Sequence, residues 1–290
     1  MESAACSPGL RHNSSMNKDE SDPISPLGHA VISSMDEYLR RCVIPIAIAD
    51  QGSAGVQGAA SLFRLGDKRY LIGAAHVFQN VPIRCLGVPL GPASRGEQLW
   101  TLDGCEVVFS KQADDDIAVV SIDNAEIGSR LSNNWEILTE NDLVGNLDET
   151  TWFVIAGFPA VTAEAEPGKL RANFYMALST RYEGEVKEPV DPNNDLLLHY
   201  RKVVPSVIDK ALESAPQLQG VSGSPIWAYV PGISTNLWSA SRRLRVCAVQ
   251  VSFLHSQYVR AKRWGLIPDV IESFDPATAE KIRQALSSSS

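Results

Sequence analysis

Long apolar runs are missing from this 290-residue sequence. The longest nearly apolar stretch, Trp152 to Val161, is broken by Gly157 and Pro159. It falls well short of the ~20 residues that a bilayer-spanning helix needs, so no membrane partner is expected. Excess positive charge is missing too. The 26 Lys and Arg stand against 34 Asp and Glu, a net charge of −8, which gives no field to collect phosphates and argues against nucleic acid as a partner. Cysteine is scarce and unordered: Cys6, Cys42, Cys85, Cys105 and Cys247 are odd in number and show no C-x-x-C spacing. They read as reduced thiols in a cytoplasmic protein, not as a disulfide framework or a metal site. Met1 to Pro26 is polar and Pro-containing, without the basic start and apolar core of a signal peptide. No cofactor is expected. What remains is an ordinary globular composition, 44% apolar and 21% charged, in a chain long enough for about two domains of ~150 residues.

The chain divides by its patterning. Residues 1–28 carry Pro8, Pro23 and Pro26 among polar residues and read as a disordered tail. Residues 29–42 form a short helix, with Val31, Met35 and Leu39 recurring every four positions. Residues 43–150 hold six short β-type runs, VIPIAIAD, VQGAASLF, RYLIGAA, PIRCLGV, EVVFS and DIAVVSID, and then a polar linker from Asn124 to Thr151. Residues 151–290 hold six more, TWFVIAGF, ANFYMALSTRY, DLLLHY, SPIWAYV, LRVCAVQVSF and YVRAKRWG, and end in a helix that Asp275 can cap and Pro276 can open. The fold class is all-β, in two units.

Three segments could carry chemistry. His76 ends the apolar run LIGAAHV, where small residues let the chain turn and present an imidazole; taken alone it would more often be structural. Asp116 follows Asp114 and Asp115 and abuts IAVV, so it is drawn toward the interior and needs a charge-assisted partner, whereas its two neighbours read as a solvated turn. Ser222 sits in GVSGSP, where flanking glycines permit a tight turn that exposes a hydroxyl and frees backbone N–H groups; an isolated hexapeptide of this kind could be a plain turn. Among the other histidines, His12 lies in the tail, His29 at its border and His199 within a strand. His255 stands where it could line a loop or border a pocket.

In chain order these segments read His, Asp, Ser, with the first two in one β unit and the third in the other. GAAHV, DIAVV and GVSGSP resemble the three motifs of the trypsin-like serine proteases of the chymotrypsin fold, and AGFP resembles the opening strand of the second barrel in bacterial members. The resemblance covers about Ile44 to Arg283, with specific motifs confined to the triad segments. It implies two six-stranded antiparallel β-barrels with a cleft between them, Ser222 as nucleophile, His76 as base and Asp116 as the residue that orients it. It implies an oxyanion hole from the N–H groups of Gly220 and Ser222. It also places Pro216 at the base of the specificity pocket and Ser252, Phe253 and Leu254 along an extended substrate. Pro216, Gln217, Leu218 and Gln219 carry no charge, so uncharged residues are expected before the cut, small or medium apolar ones first, unless His255 lines the opposite wall.

Three positions depart from the family pattern. Val77 replaces a Cys of secreted animal members, Ser224 replaces a Gly, and Val221 stands where zymogens have the Asp that pairs with a new N-terminus. Activation by N-terminal cleavage is therefore not expected. The expected partner is a protein or peptide substrate, with a regulatory protein partner if the chain is a signalling or defence effector. The competing reading is a degenerate member that binds extended peptides without cutting them.

Overall fold

The computed structural model describes residues 28–50, 53–91, 99–166, 169–205, 212–230 and 239–288. The expected tail lies outside them. The helix that the four-residue spacing predicts is α1 (Gly28–Cys42), and its apolar stripe buries Met35 and Leu39 completely.

The first antiparallel sheet is built from β1 (Ile44–Asp50), β2 (Ser53–Leu65), β3 (Lys68–Ala74), β4 (Leu86–Val88), β5 (Trp100–Thr101), β6 (Val107–Phe109) and β7 (Ile117–Ser121), in the order β5-β4-β1-β2-β3-β7-β6. Leu65 pairs with Lys68, so Gly66 and Asp67 form a two-residue hairpin, and Gly66 adopts the positive φ of 61° that such turns require. The sheet has seven strands where six runs were expected, because Trp100 and Thr101 add a short edge. The run PIRCLGV yields a strand only in its last three residues; a 3₁₀ turn, Ile83–Cys85, precedes it.

Two helices belong to this unit: α2 (Ala75–Gln79), directly after β3, and α3 (Ala125–Asn134). The second corrects the linker expected from Asn124 to Thr151. Asn124 accepts the N–H of Ile127 as an N-cap, Leu131 is buried, and Trp135 fills the core while donating its indole N–H to Pro89 O at 2.8 Å.

The second sheet contains the six strands predicted for it. They are β8 (Trp152–Gly157), β11 (Tyr175–Ser179), β12 (Asp195–His199), β15 (Pro225–Tyr229), β16 (Leu244–Leu254) and β17 (Tyr258–Arg263), in the order β11-β8-β15-β16-β17-β12. Two small hairpins, β9 (Glu164–Glu166) with β10 (Lys169–Arg171) and β13 (Val203–Pro205) with β14 (Leu212–Ser214), stand apart from it. The short α4 (Ala240–Arg243), then α5 (Ile267–Glu272) and α6 (Pro276–Ser288), complete the chain.

Each sheet has its own core, one around Ile46, Leu62, Leu71 and Val120, the other around Ile155, Leu198, Ile226 and Val259. A third core is shared. Leu39 of α1, Phe63 and Tyr70 of the first sheet, Trp227 and Val246 of the second, and Ile271 and Ile282 of α5 and α6 meet there, with the Phe63 and Trp264 rings 4.7 Å apart. Truncating one such buried residue typically costs about 2–5 kcal/mol, so the helices are structural parts of the seam. The four described cysteines are free, as expected, and burial pushes the Cys247 thiol up to about 12. No helix of the described residues is long and apolar enough to cross a membrane.

Candidate functional site

Register brings His76 and Asp116 together. Ala74 pairs with Ile117 at the end of the β3–β7 ladder, so the residues just beyond β3 and just before β7 share one sheet end although 40 positions separate His76 from Asp116. The chain turns at Ala74 into α2, which puts His76 in the first helical turn, where N–H groups lack intrahelical partners. Asp116 satisfies three donors there. Its carbonyl accepts Ala75 N–H at 2.9 Å, its Oδ1 accepts His76 N–H at 2.9 Å, and its Oδ2 lies 2.7 Å from His76 Nδ1.

An ionised carboxylate only accepts, so Nδ1 carries the proton and Nε2 is left as the basic nitrogen. To reach these contacts Asp116 takes φ 48° and ψ 43°, the left-handed region that Asp tolerates better than most side chains. Asp114 is exposed, as the solvated-turn reading has it. Asp115 is only half-exposed: burial raises its carboxyl above the ordinary range, while the charge of Lys262 acts in the opposite direction.

Ser222 lies in a turn whose shape depends on two glycines, Gly220 at φ 86° and Gly223 at φ 93°. That turn docks on the first sheet. Ala59 of β2 donates its N–H to Ser222 O at 2.7 Å, and a Cβ on Gly223 would come within 1.9 Å of Ala59 O, so nothing larger than glycine fits. Gly58 closes the contact from the other side: a Cβ there would meet Val77, the residue after His76, and Ser222 O. All three residues of the expected triad thus gather at one seam.

The serine hydroxyl is not hydrogen-bonded to His76. It donates to Val251 O at 3.5 Å, the outer limit of a hydrogen bond. The N–H groups of Gly220 and Ser222 have no hydrogen-bonded acceptor among the described residues, whereas Val221, Gly223 and Ser224 donate to Leu218, Gln250 and Val221.

Pro216 lies in an irregular segment, with its carbonyl accepting the Tyr200 hydroxyl. His255 meets Tyr200 edge-on with centroids 6.1 Å apart, so it shares that neighbour with Pro216, and its Nδ1 is buried without a partner among the described residues. Ser252, Phe253 and Leu254 end β16, paired to β17 on one side. On the other side the β15 ladder stops at Val249, which leaves their second edge open among the described residues, and Leu254 is 44% exposed. His199 sits in β12 as expected and meets Tyr182 edge-on. No group of three His, Cys, Asp or Glu among the described residues is placed to hold a metal ion.

Two features escape a reading of the sequence. Gln250, in the middle of the apolar strand β16, is completely buried, and neither polar atom of its amide has a partner among the described residues. Its only sequence signal is a polar residue in VCAVQVSF. The other is an ion cluster. The fully buried Asp195 carboxylate receives two bonds from Arg260, at 2.9 and 2.8 Å, and one from Lys262 at 2.8 Å. Burial alone would raise this carboxyl, but the Arg260 and Lys262 bonds hold it below the ordinary value.

No family profile and no curated protein matches the chain. Solved structures similar to it include a thermostable serine protease from an extremophilic microorganism, at 10% identity and TM-score 0.48, over 83% of this chain and 99% of that one. The serine protease domain of the Sesbania mosaic virus polyprotein is similar at 16% identity and TM-score 0.43, over 81% and 92%. A protease of M. tuberculosis in its active form is similar at 12% identity and TM-score 0.45, over 86% and 87%. At these identities and scores the likeness assigns no role to any residue of this chain.

Proposed function

We propose that the chain is a serine endopeptidase in which Ser222, His76 and Asp116 act as a unit. The observation that carries this reading is the 2.7 Å His76–Asp116 bond, which leaves Nε2 basic at the seam where the Ser222 turn docks. The Ser222 hydroxyl leaves its weak bond to Val251 and turns toward Nε2. Its oxygen attacks the scissile carbonyl carbon while its proton passes to His76, and Asp116 stabilises the imidazolium. The N–H groups of Gly220 and Ser222, without an acceptor among the described residues, receive the developing oxyanion, each such donor typically contributing about 3 kcal/mol. The C–N bond breaks, the leaving amine takes the proton from Nε2, and water then hydrolyses the acyl-enzyme with His76 as base. The open edge of Ser252 to Leu254 pairs with the extended substrate.

Val221 is completely buried and uncharged, so a new amino terminus would find no partner there and N-terminal processing is not needed. The unit boundaries, 43–150 and 151–290, are proposed as the two halves of the cleft. The cytoplasmic setting rests on the free thiols, and the role of a regulated effector with a protein partner follows from the hazard of unrestrained proteolysis in that setting. A peptide-binding module without turnover is favoured by one observation, the Ser222 bond to Val251 in place of His76.

Labelling with a fluorophosphonate separates the two. Wild type labels and Ser222→Ala does not if the chain is a hydrolase; unlabelled wild type that still captures extended peptides establishes the binding module instead.

A further inference from the structure

We infer that Gln250 recognises the side chain of the residue whose carbonyl Ser222 attacks, and that this residue is glutamine or asparagine. The inference rests on the peptidase reading and names the substrate class for that site.

Gln250 is tied to the nucleophile's turn by its own backbone. Its carbonyl accepts Gly223 N–H at 2.7 Å and its N–H donates to Ser224 O at 2.9 Å, so its side chain departs from a point one residue away from Ser222. Register fixes the direction. Gln250 pairs with Ala261, which pairs with Leu196, and side chains of cross-strand partners share a face. Ala261 and Leu196 lie in the second-unit core together with Ala215, Leu218 and Val221. The Gln250 side chain therefore faces the second-unit core, to which Leu218 and Val221 of the segment that carries Ser222 also contribute.

That amide is out of place as a structural group. Gln250 is 0% exposed, and both its Nε2 and its Oε1 lack a hydrogen-bond partner among the described residues. A second orphan lies close by: Ser224, whose carbonyl accepts the Gln250 N–H, has a buried hydroxyl without a partner among the described residues, 2.8 Å from where a Cβ on Gly157 would stand. Leaving such groups unpaired is expensive, and native interiors rarely do so without a use for it.

A substrate side chain entering here supplies the missing partner, and the amide dictates which one. It offers one acceptor and two donors, which a second primary amide matches reciprocally. An apolar side chain would leave both ends unpaired. A carboxylate would bury a charge against Ala261 and Leu196, and an ammonium or guanidinium would do the same with the opposite sign. The segment from Ala215 to Gln219 belongs to no strand ladder, so making room there breaks single bonds, such as Ala215 N–H to Lys202 O, and not a ladder.

The test uses the full chain, a fluorophosphonate, and a peptide library varied at the residue before the cut. Wild type is expected to cleave after Gln or Asn at least tenfold better than after Met or Leu, and Gln250→Met to reverse that order. Met fills the same volume without unpaired polar atoms, so the variant is also expected to melt no lower than wild type. A profile unchanged in a labelled, folded Gln250→Met overturns the inference and leaves the peptidase reading standing. So does a melting temperature several degrees lower with the profile intact, which would make the amide a structural group. If Gln250→Met does not fold, Gln250→Glu serves: preference for an amide side chain is expected to fall as pH rises and the new carboxyl loses its donor, and a pH-independent preference overturns the inference. Wild type that resists labelling overturns the peptidase reading and the specificity together.

Discussion

The two sides of the seam are finished to different degrees. On the first-sheet side the contacts that join His76 and its neighbour Ala75 to Asp116 are already made, at 2.7 to 2.9 Å. On the second-sheet side the corresponding groups wait: among the described residues the Ser222 hydroxyl holds a marginal bond, the Gly220 and Ser222 N–H groups hold none, and the Gln250 amide is buried without a partner. A base must be oriented before substrate arrives, because its tautomer and direction decide whether it can take a proton. Groups that bind developing charge or a substrate side chain are better left unpaired, since a pre-existing bond would have to be broken first.

The sharpest way to break this contrast is to remove the proposed nucleophile. Ser222→Ala is expected to lower kcat roughly a million-fold with melting temperature unchanged within about a degree, read by peptide turnover and calorimetry. His76→Ala should lose about as much, and the double variant no more than either, because members of a triad fail as a unit.

Asp116→Asn tests the finished side more finely. Asn accepts the left-handed backbone at this position, so the fold should persist, but its amide favours the wrong imidazole tautomer and kcat should fall about 10⁴-fold. A variant within tenfold of wild type would mean that orientation of His76 does not depend on the carboxylate.

Gly223→Ala attacks the join between the two sides. The added Cβ would press on Ala59 O and sit at a φ of 93°, so a loss of about 3 kcal/mol of stability is expected from chemical denaturation, with Ser222 labelling slowed in the folded fraction.

The smallest expected effect is an acid limb in stability. The folded-state carboxyl of Asp195 lies below its ordinary value of 3.8, so its contribution is full above that value and is lost as pH falls through the lower folded value. Melting temperature followed from pH 5 downward should show the fall, and Asp195→Asn should remove that part of the slope.

Much of this was legible in the sequence where a pattern is local. The short β-type runs DIAVVSID and LRVCAVQVSF predict β7 and β16, and GVSGSP predicts a glycine-flanked turn at Ser222. The misses are tertiary. Helix α3 hides in a polar stretch because only Ile127 and Leu131 mark its apolar side, while Asn124 and Asn134, which suggest a loop, serve as its cap and as a bond to Arg130 O. Asp115 reads as solvated because nothing in its own segment announces Lys262, a residue of the other sheet. Gln250 reads as an ordinary strand residue because the absence of a partner is a property of everything around it.

The bond from Ala59 to Ser222 gives the seam a reporter of its own. The Ala59 amide proton is shielded only while the serine turn stays docked, so its exchange with deuterium measures how often the two sheets part at this point. Neighbouring β2 amides that are locked in sheet ladders supply the reference rate. If a regulator acts by seating or unseating the turn, the Ala59 proton registers it before any peptide is cut.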